Sequence, residues 1–243
     1  MKPDINTLIL YEDSHIIVCH KPAAVAVQTS RIGAQDMVSL LKNHLAGTLG
    51  LSRQNGRPAG RAREPYLAVI HRLDQPVEGL LVFAKTPEAA KELNRQLTAS
   101  GFGKYYRAIV MGTPEPPEGI LENYMVKDGR SNTSRICTKD TPGAKLARLH
   151  YRVIQPYKDT RPAASLVEIK LDTGRHHQIR VQMAHLGCPL EGDRKYGSCE
   201  GTSQTLKLCA YKLEFRHPQS GKKMNFQLPY EGNDVERRPK TEE

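Results

Sequence analysis

Residues 66–85 read Tyr-Leu-Ala-Val-Ile-His-Arg-Leu-Asp-Gln-Pro-Val-Glu-Gly-Leu-Leu-Val-Phe-Ala-Lys. The apolar runs Tyr66–Ile70 and Leu80–Ala84 predict short buried strands, because they are rich in β-branched and large apolar side chains. A proline and a glycine interrupt the chain between the two runs. The stretch therefore predicts two core strands that hold a single carboxylate, that of Asp74, at a rigid turn.

Further motifs accompany this stretch along the chain. They are Ile16–Pro22, His71–Asp74 with Gly79–Lys85, Lys104–Val110, Leu171–Gln182, Gly187–Gly197, Leu208–Leu213 and His217-Pro218. In this order and over roughly residues 8–229, they resemble the motifs of the RluA-type pseudouridine synthases. One segment departs from the family pattern, because Val77-Glu78 replace a small hydroxyl pair that is common before the glycine. The departure concerns substrate fit more than chemistry, since Asp74 is retained.

The composition is that of an ordinary globular protein. The chain has 243 residues, 38% hydrophobic and 26% charged, which suffices for one large domain or two small ones. No apolar run reaches the length of a membrane span, and no signal-peptide core follows the first residues. Five scattered cysteines without a Cys-x-x-Cys pair indicate neither a disulfide framework nor a structural zinc site. A reducing cytoplasm is the expected location.

The net charge indicates the kind of partner. A formal charge of +10 and a pI near 9.4 favour a polyanion. Nucleic acid is preferred to a membrane surface, because the basic residues are dispersed and no basic amphipathic helix is evident. Charge alone leaves open a soluble protein that is merely basic.

The pattern of elements predicts an α+β fold around a mainly antiparallel sheet. The predicted helices are Met37–Leu45, ended by Gly47; a helix from Thr86-Pro87-Glu88 to Gly101; and His177–Leu186. Besides the two runs above, the predicted strands are Leu8–Tyr11, Ile16–His20, Tyr105–Met111, Arg148–Ile154, Leu166–Leu171, Lys207–Leu213 and Lys223–Leu228. The resemblance implies the pseudouridine synthase fold, in which two subdomains share one mixed sheet with a central active-site cleft. We expect a catalytic domain over residues 1–230 without the N-terminal RNA-binding module of many relatives, and a disordered tail over 231–243.

The resemblance also implies the chemistry. Pseudouridine formation breaks the N1–C1′ bond of uridine and rejoins the uracil through C5, so no cofactor or metal is expected. An ionised carboxylate can act as nucleophile or as base, and Asp74 is the candidate. The alternative for Asp74 is an ordinary turn or capping residue.

Two further residues are catalytic candidates by resemblance. Arg180 would pair with Asp74, because a nearby guanidinium favours the ionised carboxylate; the alternative is a helix-surface arginine. Tyr106 would stack on or hydrogen-bond to the target uracil, and it is preferred to Tyr105 only by the register of the Lys-x-Tyr motif. The alternative for Tyr106 is an ordinary strand aromatic.

Other basic residues are candidates for RNA binding. By resemblance, Arg72 would fill the gap that a flipped uridine leaves in the stack, although a salt-bridged structural arginine is the alternative. A basic loop at 50–65 and a basic hairpin at 126–145 are expected to grip phosphates. Arg175 is assigned with His71, His177 and Gln178 to phosphate contacts or structural support. The candidates in the loop and hairpin are Arg53, Arg57, Arg61, Arg63, Arg130 and Arg135, with Lys127, Lys139 and Lys145 nearby.

Two other classes of protein remain open at this point. A metal-dependent nuclease would use His71, Asp74, His176, His177 and His185, but adjacent histidines should diverge on a helix and no acidic pair has ligand spacing. An RNA-binding protein without catalysis has its best support in Val77-Glu78. For the synthase, the expected partner is ribosomal or transfer RNA, the protein is expected to be a monomer, and the sequence does not choose between the two RNAs.

Overall fold

The computed structural model describes residues 4–31, 33–48, 64–99, 101–157, 163–197 and 205–229. Its helices are α1 (Ile5–Leu8), α2 (Met37–Thr48), α3 (Pro87–Thr98) and α4 (Gln178–His185). Its strands are β1 (Ile9–Glu12), β2 (Ile16–Lys21), β3 (Ala68–Val69), β4 (Glu78–Ala84), β5 (Gly103–Met111), β6 (Glu118–Asp128), β7 (Thr133–Cys137), β8 (Lys145–Tyr157), β9 (Ala164–Leu171), β10 (Leu208–Arg216) and β11 (Lys223–Gln227). The α+β class with a mainly antiparallel sheet is confirmed, since every strand pair whose register is described is antiparallel.

The chain forms two compact units. The first comprises the described residues up to Phe102 together with Leu213–Leu228, and the second comprises those of Gly103–Lys212. Strand β10 therefore contributes its first residues to the second unit and its last residues to the first.

The first unit is built around the apolar run that the sequence singled out. Its strands are ordered β1-β2-β4-β10, with β3 beside β4 and β11 beside β10. Every residue of β4 is buried, as expected for a strand that is covered on both faces. Helix α3 packs against this sheet through Leu93, and Thr86 caps it by accepting a hydrogen bond from the amide of Ala89 at 3.1 Å. The predicted start of α3 is thus confirmed.

The second unit contains strands in the order β10-β5-β9-β8-β6-β7, and neighbouring strands from β5 to β7 pair antiparallel. The basic hairpin predicted at 126–145 is present as β6 and β7, whose register pairs Asp128 with Thr133. Helix α4 packs on this sheet: Val181 joins a buried cluster with Met125 and Ala147, and Nε2 of the Gln182 side chain donates to the carbonyl of Ala147 at 3.3 Å. Gly187 follows the helix with a φ of +83°, which a residue without Cβ adopts readily.

Several predicted boundaries were wrong. Helix α2 continues through Gly47 to Thr48, and Leu8 closes the short helix α1 instead of opening a strand. The first apolar run of the opening stretch contributes only the two-residue strand β3. The predicted basic loop at 50–65, except its last two residues, and the predicted tail at 231–243 lie outside the described residues.

Candidate active site

Asp74 lies between β3 and β4, in the first unit. Leu73 and Val77 on either side of it are 7% and 2% exposed, so their side chains anchor the segment in the core. The amide of Val77 donates to the carbonyl of Asp74 at 3.0 Å and closes a turn over Gln75-Pro76. Asp74 is half-buried, whereas Arg72, two residues before it, is exposed. A turn that carries Asp74 is therefore present where the sequence predicts one.

A buried lysine supports this turn. Lys21, at the end of β2, is 0% exposed. Its Nζ donates to three carbonyl oxygens, those of Pro22 at 2.9 Å, Val25 at 2.7 Å and Gln75 at 3.1 Å. The last of these bonds ties the residue after Asp74 to the end of β2. A second tie runs from Nε2 of Gln75 to the carbonyl of Ala24 at 3.0 Å.

The electrostatics of Lys21 involve Asp74 directly. Burial lowers the pKa of Lys21 to about 8, and the carboxylates of Glu78 and Asp74 act in the opposite direction. Lys21 is therefore mostly protonated at neutral pH, and it places a buried positive charge near the Asp74 carboxylate. The sequence reading missed this role, although Lys21 belongs to a quoted motif. Its position before Pro22 was the only available signal.

The departure at Val77-Glu78 lies inside the first unit. Both side chains are buried, Glu78 at 9% exposure, and Glu78 lies 3.9 Å from Nε2 of His20. The unusual carboxylate thus shares the surroundings of Lys21 instead of facing solvent. His71 also has a structural contact, because its Nε2 accepts a hydrogen bond from the amide of Val82 at 3.4 Å.

Tyr106 and Arg180 lie in the second unit. Tyr106 is 7% exposed on β5, where it pairs with the buried Ile169 of β9. Arg180 is buried on α4, and its Nε and Nη2 donate to the two carboxylate oxygens of Asp193, each at 2.7 Å. The alternative of a helix-surface arginine is wrong, because the Arg180 side chain is only 6% exposed.

Asp193 is a second residue that the sequence reading missed. Its side chain is 0% exposed, and one of its oxygens also accepts the amides of Lys195 at 2.9 Å and Tyr196 at 3.2 Å. Burial acts to raise the pKa of Asp193, but the hydrogen bonds from Arg180 and from the Lys195 amide hold it below its ordinary value. The signal was present in the Gly-Asp-x-x-Tyr-Gly segment that follows α4.

The two adjacent histidines correct one expectation. His176 and His177 do not diverge on a helix, because they precede α4; His177 has a φ of +54°, and their rings stack with centroids 3.7 Å apart. Burial, with the charge of Arg180 next, lowers the pKa of His177 to about 3, so this ring is neutral at physiological pH. Nδ1 of His177 lies 2.7 Å from the hydroxyl of Tyr196. Among the described residues, no three histidine, cysteine, aspartate or glutamate side chains are grouped as metal ligands.

The candidate RNA-binding residues that the structure describes are all exposed. They are Arg72 in the first unit and Arg130, Arg135 and Arg175 in the second. Arg130 lies in the β6–β7 turn, where its amide donates to Asp128 at 2.8 Å, and Arg135 lies on β7. The other candidates, Arg53, Arg57, Arg61 and Arg63, lie outside the described residues.

Comparison with known proteins identifies the class. A family model described as RNA pseudouridylate synthase matches residues 15–185. The chain is 35% identical over 234 residues to ribosomal large subunit pseudouridine synthase D of Zymomonas mobilis, an alignment that covers 92% of this chain and 69% of the relative. It is 34% identical over 242 residues to the protein of the same name from Pseudomonas aeruginosa, covering 93% and 69%.

A solved structure agrees on the fold. Human RNA pseudouridylate synthase domain containing 4 superimposes with a TM-score of 0.70 at 21% identity, covering 93% of this chain and 90% of that one. Fold and sequence together define an isomerase that acts on RNA. The chain belongs to the RNA pseudouridylate synthase family, which confirms the resemblance found in its motifs. No helix in the part of the chain that the structure describes is long and apolar enough to cross a membrane.

Proposed function

We propose that this protein isomerises a uridine of large-subunit ribosomal RNA and that Asp74 is its catalytic carboxylate. The observation that carries the assignment of Asp74 is its setting. Asp74 is half-buried on a turn that is anchored by buried side chains and hydrogen-bonded through Gln75 to the fully buried Lys21. A reactive group needs such a rigid support, because small displacements of reacting atoms reduce rates steeply.

The proposed chemistry needs only one ionised carboxylate. Asp74 acts on the ribose or the uracil as nucleophile or as base, the N1–C1′ bond breaks, and the uracil rejoins C1′ through C5. The hydrogen on C5 leaves as a proton and N1 gains one, so the product is an isomer of the substrate. The buried positive charge of Lys21 supports this role, since it attracts the negative charge of the nearby Asp74 carboxylate.

Three more assignments belong to the proposal. A uridine in a folded RNA must leave the base stack before a carboxylate reaches it, and the exposed Arg72, two residues before Asp74, fills the gap. Tyr106 stacks on the uracil, and Arg180 supplies electrostatic support for the reaction. The roles of Tyr106 and Arg180 rest on the resemblance of their motifs.

The choice of ribosomal RNA rests on the relatives. Both bacterial proteins described above are named for the large ribosomal subunit and align over nine-tenths of this chain. A formal charge of +10 suits a large polyanionic substrate.

The test is a comparison of pseudouridine maps. Total RNA is mapped from cells that lack the protein and from the same cells complemented with the unmodified chain or with Asp74→Asn. We expect one or a few large-subunit sites to disappear, to return with the unmodified chain and to stay absent with the variant. Sites confined to transfer RNA would overturn the substrate assignment. Sites restored by Asp74→Asn would overturn the catalytic one, and RNA binding without any changed site would indicate a binding protein.

A further inference from the structure

Lys104 lies on the same face of β5 as Tyr106, two residues away. Side chains of a strand alternate between faces, and the registers Lys104–Leu171 and Tyr106–Ile169 place both opposite buried residues of β9. Lys104 is only half-buried, in contrast to Tyr106. The side chain of Lys104 therefore lies on the same face of the sheet as Tyr106 and is more exposed than Tyr106.

The surroundings of Lys104 are unfavourable for a lone cation. A Cβ built on Gly174 would lie 3.4 Å from Nζ, so the ammonium lies against the backbone of that glycine. Burial lowers the pKa of Lys104, and the guanidinium of Arg175 lowers it further, while Asp172 opposes both. Two like charges thus lie close together on a partly desolvated surface.

Asp172, the carboxylate that acts on Lys104, is already engaged. One oxygen of Asp172 lies 2.9 Å from Nε2 of His150 and 3.3 Å from Nε of Arg148. Within the described part of the chain, Nζ of Lys104 has no hydrogen-bond acceptor. All three donors of this ammonium are therefore available to a ligand.

Arg175 is also only partly used. Its Nε donates to the carbonyl of Leu146 at 2.7 Å, which fixes the guanidinium plane, and its amide donates to Gln178 at 2.9 Å. Among the described residues, its two terminal amino groups have no hydrogen-bond partner. A guanidinium held at one edge presents its remaining donors in a fixed fork, which suits a phosphate.

We propose that Lys104 and Arg175 form a binding subsite for one phosphodiester of the RNA, beside the surface to which Tyr106 belongs. A phosphate oxygen accepts from the ammonium and from the fork, and its charge relieves the repulsion between the two cations. The subsite holds a nucleotide next to the target uridine, and this placement rests on the proposed role of Tyr106. Because it acts through the RNA backbone, it fixes the register of the substrate without reading its sequence.

Neutralising single phosphates of the RNA tests the subsite. Verified substrate RNAs carry one methylphosphonate linkage each, at the positions flanking the target uridine, and binding is measured for the unmodified chain, Lys104→Met and Arg175→Gln. We expect one linkage at which neutralisation weakens binding to the unmodified chain about tenfold but changes binding to either variant less than about twofold. The matched control is Lys170→Met, which removes an exposed lysine from the opposite face of the same sheet. The neutral linkage should weaken binding to this control as much as it weakens binding to the unmodified chain.

The outcomes separate the two claims. The subsite is wrong if, at every position, a neutral linkage weakens binding to the Lys104 and Arg175 variants as much as it weakens binding to the unmodified chain. It is also wrong if Lys170→Met is as insensitive to the neutral linkage as those variants. Inorganic phosphate is titrated into the protein while the labelled ammonium of Lys104 is observed. Phosphate should bind there, and compete with RNA, only at the high concentrations typical of a single weak contact. Saturation at low phosphate concentration would instead indicate a site for the free ion and contradict an RNA subsite. The assay measures binding, so it stands even if Asp74→Asn proves active, a result that would refute only the proposed catalyst. Circular dichroism of each variant verifies the fold, and Lys104→Gln replaces Lys104→Met if the latter fails to fold.

Discussion

Nζ of Lys21 lies 3.1 Å from the carbonyl oxygen of Gln75, the residue that follows Asp74. The same ammonium binds the carbonyls of Pro22 and Val25, so one buried charge holds two loops of the first unit together. The position of Asp74 is therefore set by a residue more than fifty positions earlier in the chain. The proposed catalyst and its support form one local structure.

Lys21→Met tests this support. The substitution leaves three carbonyl oxygens without their donor, and we expect the free energy of unfolding to fall by about 3–5 kcal/mol. In the protein that remains folded, kcat should fall by about 10²-fold with little change in KM, because the Asp74 turn loses its anchor. The control is Lys85→Met, which removes the ion pair with Glu12 at 2.6 Å in the same unit without touching Gln75. An equal loss of kcat in the control would show that the effect is general destabilisation.

Arg180→Met leaves Asp193 as a buried carboxylate without its counter-charge. We expect a loss of about 3–5 kcal/mol in the free energy of unfolding at pH 7. In the unmodified chain the pKa of Asp193 is lowered, so its contribution is present above the unfolded pKa and is lost as the pH falls through the folded one. In the variant, the pKa of Asp193 in the folded state should rise above its value in the unfolded state. Acidification then protonates Asp193 and removes the destabilisation caused by its unpaired buried charge.

Urea unfolding of both chains at several pH values measures this difference. The difference in the free energy of unfolding between the unmodified chain and Arg180→Met should be largest at neutral pH and should decrease steadily toward about pH 4. A gap that does not depend on pH would contradict the assigned pairing. Activity of Arg180→Met must accordingly be expressed per folded molecule.

Tyr196→Phe tests how the hairpin is attached to α4. The hydroxyl oxygen of Tyr196 accepts a hydrogen bond from the amide of Ser134 at 2.8 Å and lies 2.7 Å from Nδ1 of His177. Removing the hydroxyl leaves a partly buried amide unpaired, at a cost of about 1–3 kcal/mol. Amide exchange of Ser134 should accelerate by about tenfold or more, as measured by NMR. In Tyr124→Phe, on β6 of the same hairpin, the Ser134 amide should exchange at the unmodified rate.

The hairpin charges should appear in the salt dependence of RNA binding. Each lost phosphate contact reduces the slope of log K against log salt by about 0.7–0.9. Arg130→Gln combined with Arg135→Gln should therefore flatten the slope by up to about 1.4–1.8. The control pair, Lys222→Gln with Lys223→Gln, removes two exposed charges near β11 to which no RNA contact is assigned. Equal slopes for the two double variants would show that the hairpin arginines are solvent-exposed residues that do not contact the RNA.

Local patterns predicted the elements with strong sequence signals. The apolar run at 80–84 became the fully buried β4, and Thr86 with Pro87 and Glu88 began α3, because cap and proline chemistry act within one turn. Gly47 was misread as a stop. A glycine near the end of a helix costs only about 1 kcal/mol, which packing of the buried Leu41 and Leu45 can offset.

The candidate site was harder to predict, since its partners are set by the tertiary fold. A lysine in a sequence is expected at the surface, and only the meeting of β2 with the Asp74 turn explains why Lys21 is buried. Asp193 is separated from Arg180 by a turn whose path the sequence does not specify. The stacked rings of His176 and His177 depend on one positive φ, which no periodicity indicates.

The assay of Asp74→Asn tests the central claim most directly. The variant keeps the size and shape of the side chain while removing its charge, so the fold and the RNA affinity should stay close to those of the unmodified chain. Release of tritium from C5 of the target uridine, measured under single turnover on a verified substrate, should fall by at least about 10⁴-fold. A variant that binds the RNA and still isomerises the uridine at a comparable rate would contradict the assignment of Asp74 as the catalyst.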